Sequence, residues 1–424
     1  MAAQHLLLCL TASGGVPLFT RTQGHVKQLP FSVIGSLNGV HMFGSNQGAL
    51  LSSTALDDGT LTWRVFHDSI TLILVTTGGE RGGEAFLHRL LENVFGALVL
   101  MIGLDELVNI RNVERLKRDL KACYQLVDSL LGTSELAVEL TGSPDCLLCP
   151  DNDILRECLE AFTAGVDSAF GCLLARGRVC VATERWWQLA PQEGSCWGAS
   201  ERLPPASSRD VPVYLPHAAP PQVPHRLLTF RLLPGLELCV LCGPQPTLQD
   251  IQSTQLVERF WRPVLEPLRT CVVLAPHAFH STTPLHGAIL GLLLVNTELK
   301  RSLFTVAAAS GRGRWGRECG VDGGRRIPME RRRSILKAFY RLAVTNYFSQ
   351  GATRVTGSEA VPLVEDFQRG FAHSATECYV SADGHRCYGL QAPPRQLFLL
   401  LGDVPTLALR PISRATLQAL TKLL

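Results

Sequence analysis

The sequence predicts an α/β protein of the α+β type, in which three related units each form an antiparallel sheet backed by helices. Residues 6–22, 169–184 and 290–307 share one pattern: an apolar run, a short polar turn and a returning apolar run. This pattern is typical of a β-hairpin. Helix-like and further strand-like stretches follow each hairpin. The chain has 424 residues, which is too long for one ordinary core, so two or three domains are expected.

The first unit is the most clearly patterned. Its hairpin turns at Gly14-Gly15, because glycine readily adopts the positive φ angles of a tight turn. Apolar residues then recur at helical spacing over 30–43, beginning at a proline that suits a helix start. Strand-like runs follow at 49–55, 60–67 and 69–77, and helix-like stretches at 84–108 and 113–131. The order is therefore β-β-α-β-β-β-α-α. The 84–108 helix is apolar around much of its girth, which predicts that it is largely buried.

Gly35 and Gly39 lie four residues apart and therefore share one face of the first predicted helix. Glycine destabilises a helix, so two glycines on one face indicate that another element approaches the helix closely there. The favoured interpretation is that this face lies on the sheet of its own unit. The alternative is that a helix of a partner protein docks there.

Composition shifts divide the remaining chain. A short amphipathic helix is expected just before the second hairpin, and a short strand at 211–215. Seven prolines between 203 and 224 exclude a regular central strand there, so a surface excursion is expected. The predicted boundaries are 1–132 for the first unit, 133–151 for a linker, 152–270 for the second unit with its excursion at 203–224, and 285–424 for the third unit with a glycine-rich basic loop at 311–326.

The bulk properties exclude several classes of protein. The net charge is +3 with Lys and Arg scattered, so no nucleic-acid partner is expected. No run reaches the roughly 20 apolar residues of a membrane span, and no basic segment precedes the short run at 6–10, so a cytosolic protein is expected. Only 18% of residues are charged. That value indicates either large surfaces buried against partners or three well-filled cores. The fourteen cysteines lie mostly in apolar runs, as expected of buried thiols in a reducing compartment.

No catalytic constellation is evident, and no cofactor is expected. The 78–83 loop, GGERGG, lacks the Lys-Ser/Thr of a P-loop and the spacing of a dinucleotide site, so it is interpreted as a strand-to-helix turn. Two CxxC pairs, Cys146/Cys149 and Cys239/Cys242, are far apart in the chain and lack zinc-knuckle flanks. A shared metal is therefore disfavoured, and so is an enzyme acting through its side chains.

The basic loop supports one electrostatic hypothesis. Flexible cations beside an aromatic residue can dock on anionic headgroups, so contact with an anionic phosphoinositide membrane is predicted there. The alternative is a solvated loop without a ligand. The residues predicted to contact anionic lipid are Arg312, Arg314, Trp315, Arg317, Arg325 and Arg326.

Several long blocks resemble the Fuzzy family of planar cell polarity proteins. They are LPFSVIGSLNGVHMFG at 29–44, FHDSITLI at 66–73, NIRNVERLKRDL at 109–120, PVYLPH at 212–217, PHRLLTF at 224–230, LCGP at 241–244 and LGLLLVNTELKRSLFTV at 290–306. The blocks lie in all three units, so the resemblance extends over nearly the whole chain. The resemblance implies three longin domains, whose β-β-α-β-β-β-α-α order agrees with the pattern of the first unit.

The resemblance also implies partners and a function. Fuzzy-like proteins pair with Inturned and, with the WD-repeat protein Wdpcp, form the ciliogenesis and planar polarity effector complex, which is linked to cilium assembly, transport and Hedgehog signalling at the basal body. The pair resembles two-subunit activators of Rab GTPases, so guanine-nucleotide exchange on a Rab-family GTPase is implied, together with binding of a Rab-like small GTPase. Exchange needs no acid–base residues, because the factor stabilises a nucleotide-poor state of its partner. The alternative is a scaffold that binds a GTPase without exchange activity.

By analogy with the two-subunit Rab activators, the partner-binding residues are predicted to be Phe31, Leu37, Asn38, His41 and Met42.

Overall fold

A computed structural model describes residues 4–24, 29–77, 84–132, 138–189, 207–215, 223–279, 283, 285–306, 327–348 and 375–421. The chain divides into two compact units, Met1–Pro276 and His277–Leu424. Met1–Pro276 contains two sheets and His277–Leu424 contains one, so each sheet is described below with the helices that cover it.

Each of the three sheets has five antiparallel strands in the same spatial order. The orders are β2-β1-β5-β4-β3, β7-β6-β10-β9-β8 and β12-β11-β15-β14-β13. The strands are β1 Gln4–Thr11, β2 Pro17–Gln23, β3 Ser53–Leu56, β4 Gly59–Phe66, β5 Ile70–Thr77, β6 Phe170–Ala175, β7 Arg178–Ala182, β8 Ser208–Val213, β9 His225–Leu233, β10 Leu236–Cys242, β11 Ile289–Asn296, β12 Arg301–Val306, β13 Glu377–Ala382, β14 His385–Ala392 and β15 Arg395–Leu401. The repeated order confirms the prediction of three related antiparallel sheets.

The helices connect and cover these sheets. They are α1 Phe31–Asn46, α2 Glu84–Ile102, α3 Leu104–Val108, α4 Val113–Asp119, α5 Tyr124–Leu131, α6 Val138–Thr141, α7 Asn152–Gly165, α8 Glu184–Trp187, α9 Leu248–Ser253, α10 Leu256–Trp261, α11 Leu265–Leu274, α12 Met329–Asn346 and α13 Thr406–Thr421, with a 3-10 turn at Leu120–Cys123. Among the helices of the described ranges, none combines the length and apolar character needed to cross a membrane.

The first sheet is covered on both faces, as its alternating side chains require. Leu6, Leu8 and Leu10 of β1 point to the face that α1 covers, where Ile34 joins their core. Leu7 and Cys9 point to the opposite face and pack with α2 and α5. Successive residues of a strand face opposite sides of the sheet, so an almost continuously apolar strand needs helices on both.

Helix α2 lies between the first and second sheets. Its residues share one core with Leu7 and Cys9 of the first sheet and with Cys172 and Cys239 of the second. The N–H of Tyr214, just after β8, donates to the carbonyl of Leu100 in α2 at 2.8 Å. The single helix predicted at 84–108 is two helices, α2 and α3, because Gly103 between them has a positive φ. The prediction of burial is confirmed for α2, which is buried from two sides.

The second sheet differs from the first in how its faces are covered. The helix that follows its hairpin, α8, has only four residues. Helix α2 covers much of that face instead, while α7, α10 and α11 supply residues to the core on the other face. Helix α7 confirms the amphipathic helix predicted before the second hairpin.

A short part of the predicted linker, 145–147, pairs with the second sheet. Cys146 forms a parallel bridge with Val179 of β7. Beside it, a buried ion pair joins Arg178 to Asp145 at 2.9 Å. In the proline-rich excursion, the structure describes 207–215 and 223–224. The predicted short strand is present there as β8, which starts three residues earlier than expected and holds Pro212 on the edge of the sheet, where proline is tolerated.

In the described part of the third domain, α12 and α13 both pack against the sheet. Phe339 and Tyr340 of α12 pack their rings against Phe398 of β15, at centroid distances of 6.2 Å and 4.9 Å. Leu409 and Leu420 of α13 are buried. The 311–326 loop and the 78–83 loop lie outside the described residues.

Candidate partner-binding surface

The five residues predicted to bind a partner lie on one helix, α1, but are divided between its two faces. Asn38 and His41 turn toward the sheet and are each only 8% exposed. Leu37 is half-buried and packs against the core beneath the helix. Phe31, 75% exposed, and Met42 are the two that reach the surface. Whether any of the five binds a partner stays a prediction.

The two buried polar side chains have a structural explanation. A Cβ on Gly15, in the first hairpin, would lie 2.2 Å from Nδ2 of Asn38, so this turn needs glycine both for its positive φ and for the close approach of Asn38. The Asn38 amide also donates to the sulfur of Met42 at 3.3 Å. Burial lowers the pKa of His41, which favours its neutral form. Both side chains therefore stabilise the packing of α1 against its own sheet.

The glycine pair faces away from the sheet. A Cβ added at Gly35 or at Gly39 would meet no other atom within 4 Å. The favoured interpretation, that this face of the helix lies on its own sheet, is therefore wrong. The buried stripe is formed by Ile34, Asn38 and His41 instead. The glycines leave a strip of bare backbone on the outside of α1, where another backbone can approach closely.

Exposed apolar side chains surround the two glycines. Val40 is 55% exposed and Phe43 is 69% exposed, and α1 has no charged residue along its 16 positions. We call this surface the outer face of α1; it comprises Phe31, Val33, Gly35, Gly39, Val40, Met42 and Phe43. Adjoining exposed apolar residues of this kind mark an interaction site, whereas single ones do not.

An open sheet edge follows α1 in the chain. Strand β3 is the outermost strand of the first sheet and pairs with β4. The N–H of Trp63 donates to the carbonyl of Ser52 at 2.9 Å, and alternation from that pair directs the backbone groups of Ser53 and Ala55 outward. The first domain thus presents a helix face and a strand edge, which are the two elements that most often receive a partner's backbone or helix.

Three exposed apolar residues near the predicted ones, Val40, Phe43 and Leu50, were not among the residues predicted from sequence to bind a partner. A signal was present: a helix without a single charge on any face is either wholly buried or covered by something else. The basic residues predicted to contact lipid, Arg312, Arg314, Trp315, Arg317, Arg325 and Arg326, lie outside the described residues.

The described residues also bear on the question of metal binding. Over those ranges, no group of three or more His, Cys, Asp or Glu side chains is arranged to hold a metal ion. The two halves of the first CxxC pair have different neighbours. Cys149 lies with Cys271 in one core of the second sheet, whereas the backbone of Cys146 bridges to the edge strand β7.

Comparison with known proteins identifies the three repeated sheets and their helices. Three family signatures, described as the first, second and third longin domains of FUZ, MON1 and HPS1, match residues 5–130, 166–262 and 288–424. The chain is 50% identical to the protein fuzzy homolog of Xenopus tropicalis, over 98% of this chain and 97% of the relative. It belongs to the Fuzzy family. The human fuzzy homolog is 47% identical and the mouse one 46%, each over 99% of this chain and 97% of the relative. The prediction of three longin domains is confirmed.

Proposed function

We propose that this Fuzzy-family chain is one subunit of a two-subunit assembly that binds a Rab-family GTPase and promotes exchange of its guanine nucleotide. Its proposed partner is Inturned, with Wdpcp and a Rab-like small GTPase in the same complex. The site of action is the cytoplasmic basal body of the cilium, in support of cilium assembly, transport and Hedgehog signalling.

One observation carries the proposal: the outer face of α1 is uncharged and rich in exposed apolar side chains, with only the hydroxyls of Ser32 and Ser36 among them, and among the described strands the outer edge of β3 is unpaired. Such a surface gains free energy when a partner covers it, because apolar area is removed from water. The bare backbone at Gly35 and Gly39 would let a partner's helix or strand approach closely. The fold does not require this surface, since the core beneath α1 is formed by its other face.

Exchange activity fits a chain that offers a surface rather than a catalytic constellation. A protein that binds the nucleotide-poor form of a GTPase more tightly than the nucleotide-bound form speeds nucleotide release by that difference in affinity alone. The groups that act are then the contacts of the assembled surface, and no proton transfer or nucleophile is needed.

The decisive experiment measures nucleotide release from candidate ciliary GTPases. The chain is co-expressed with Inturned, and release of fluorescent GDP is followed with the pair and with each chain alone. Faster release with the pair only is the expected result. Tight GTPase binding without faster release would instead identify a scaffold that binds the GTPase as an effector.

The α1 surface is tested by the double substitution Gly35→Ala and Gly39→Ala. The added methyl groups meet only open space in this chain, and replacing glycine by alanine in a helix stabilises it by about 1 kcal/mol per site. The variant is therefore expected to fold at least as well, yet to lose pairing with Inturned because the methyl groups hold the partner away. Ser45→Ala, at an exposed position in the last turn of α1, is the matched control. Unchanged pairing in the double variant would place the partner elsewhere.

A further inference from the structure

Among the described strands, the third sheet ends in a regular edge. Strand β13 is outermost in this sheet, and its pairing with β14 within the described chain runs through six consecutive residue pairs without a shift. The equivalent outer pairs of the other two sheets, β3 with β4 and β8 with β9, also run without a shift, so the three edges differ in length and side chains and not in regularity. A regular edge is a better template for another strand than a bulged one.

The hydrogen bonds that β13 can still make follow from its register. The N–H of Gln391 donates to the carbonyl of Thr376 at 2.7 Å, so these two residues form a hydrogen-bonded pair. Hydrogen-bonded pairs alternate along an antiparallel ladder, which assigns the backbone groups of Cys378, Val380 and Ala382 to β14. The N–H and C=O groups of Glu377, Tyr379 and Ser381 therefore point away from the sheet.

The side chains of β13 do not protect this edge. Natural edge strands are usually blocked by lysine, proline, a bulge or short length. Here 378–382 reads CYVSA, without a charge or a proline, and Tyr379 and Val380 are 57% and 40% exposed. The equivalent strand of the second sheet, β8, contains Pro212 and an ion pair between Asp210 and Arg226, and β3 has only four residues.

The second sheet shows that this fold accepts an added segment at an edge. The N–H of Leu147 donates to the carbonyl of Val179 at 2.9 Å, and the N–H of Val179 donates to the carbonyl of Asp145 at 2.8 Å. A segment that precedes the sheet in sequence thus pairs in parallel with β7. Strand addition at an edge is already part of the architecture of this chain.

The charges beside β13 indicate what an added strand would contain. Glu377 accepts hydrogen bonds from the hydroxyl of Tyr388 at 2.6 Å and from Nε of Arg410 at 2.8 Å. Arg414 lies 3.6 Å from the same carboxylate, and both arginine side chains are 60% exposed. Two cations therefore share one anion on the face that carries Glu377, Tyr379 and Ser381. A neighbouring carboxylate is favoured there, and a neighbouring ammonium is not. On the other face, exposed Val380 favours an apolar neighbour.

We propose that β13 is a docking edge for an extended segment of a partner protein in which acidic and apolar residues alternate, and that this segment adds to the third sheet as a sixth strand. Backbone hydrogen bonds to Glu377, Tyr379 and Ser381 supply the pairing. Arg410 and Arg414 select acidic residues on one face, and Val380 selects apolar residues on the other. The site is separate from the surface of the proposed function, because it uses the third domain and not α1.

The binding test uses the full chain and three labelled peptides of about ten residues, long enough for one strand. The first alternates valine and glutamate, the second alternates valine and lysine, and the third is the valine–glutamate peptide with alternate backbone nitrogens methylated. Fluorescence anisotropy is expected to show binding of the first peptide, binding at least about tenfold weaker for the second and none for the third. Equal binding of all three would overturn the proposal.

The edge itself is tested at Ser381, whose outward N–H is not used by the sheet. Ser381→Pro removes this donor and is expected to weaken binding of the valine–glutamate peptide about five- to tenfold, whereas Ser381→Ala is expected to leave it unchanged.

Amide exchange in 377–382 of the unsubstituted chain gives a second readout, and the peptide is expected to slow it. Equal affinity of both variants, or unchanged exchange, would overturn the proposal. So would a dimer of the chain, seen by light scattering, that Ser381→Pro dissolves, because the occupant would then be a second copy. The Gly35→Ala and Gly39→Ala variant is expected to bind the peptide normally, which separates this test from that of α1.

Discussion

Helices α1 and α12 occupy the same position in two longin domains, yet their outer faces have opposite character. Each follows the first hairpin of its domain and begins after a proline, Pro30 or Pro328. Each buries one stripe against its sheet. Helix α1 has no charged residue, whereas α12 has one acidic and five basic residues, of which Arg332 is buried and the other four are at least partly exposed. Packing on the sheet therefore fixes only the inner stripe, and the outer face is free to be shaped by what it meets.

The second domain shows how weakly the fold constrains this position. Its α8 has four residues, and α2 of the first domain covers much of the sheet face instead. Any helix with an apolar stripe can cover that face of the sheet. The apolar outer face of α1 is thus not a requirement of the longin fold, which strengthens the argument that a partner covers it.

The largest expected effects come from the inner stripes, where the two helices should behave alike. Ile34→Ala and Leu336→Ala each remove a buried side chain and are expected to destabilise their domains by about 2–5 kcal/mol, through lost burial and the cavity left behind. Ile34 should lie at the lower end because it is slightly exposed. Amide exchange of α1 and of α12 measures the free energy of opening of each. A negligible loss at either site would mean that the two helices are not seated in the same way.

The outer faces should respond differently to one added charge. Phe43→Arg gives α1 a cation like those of α12 at a side chain that is mostly in water. Its effect on stability is expected to stay within about 0.5 kcal/mol, while pairing with Inturned is expected to fall at least about tenfold, since the partner would bury an unpaired charge. The matched control is Thr345→Arg, at an exposed position of α12. Comparable loss of pairing from both substitutions would remove the distinction between the two faces.

The comparison also shows how much of the fold follows from sequence. The β-strands were predictable because alternating or continuous apolar runs and turn residues act locally. The hairpin turn at Gly14-Gly15 is an example, and so is α7. The position of α2 between two sheets was not predictable in detail, because its apolar girth indicates burial without naming the second neighbour. The pairing of 145–147 with β7 was missed, since short segments at a sheet edge carry no periodic signal.

The candidate surface was predicted at the level of the helix and not of the face. Periodicity placed Phe31 and Leu37 on α1, but the orientation of the helix depends on which stripe fits the sheet better. Asn38 and His41 were predicted to contact a partner, and they are buried because one fits against the hairpin turn at Gly15 and both lie beside Ile34 on the sheet side. The glycines were expected inside and lie outside. Burial of polar side chains depends on their neighbours in space, and a sequence pattern does not contain these.

The smallest effect is expected from pH, and it too should distinguish the two helices. Burial lowers the pKa of His41 below its usual 6.5, so the unfolded chain binds this proton more readily than the folded one. Stability from this group is therefore fully present above about pH 6.5 and is lost as the pH falls toward the lowered value. Helix α12 contains no histidine.

Amide exchange, corrected for the intrinsic rate at each pH, should show that α1 opens more readily on acidification from about pH 7.5 to 5.5 than α12 does. His41→Gln should reduce that difference. If α12 loosened as much as α1, or if the substitution left the response of α1 intact, the titrating group would have to lie elsewhere.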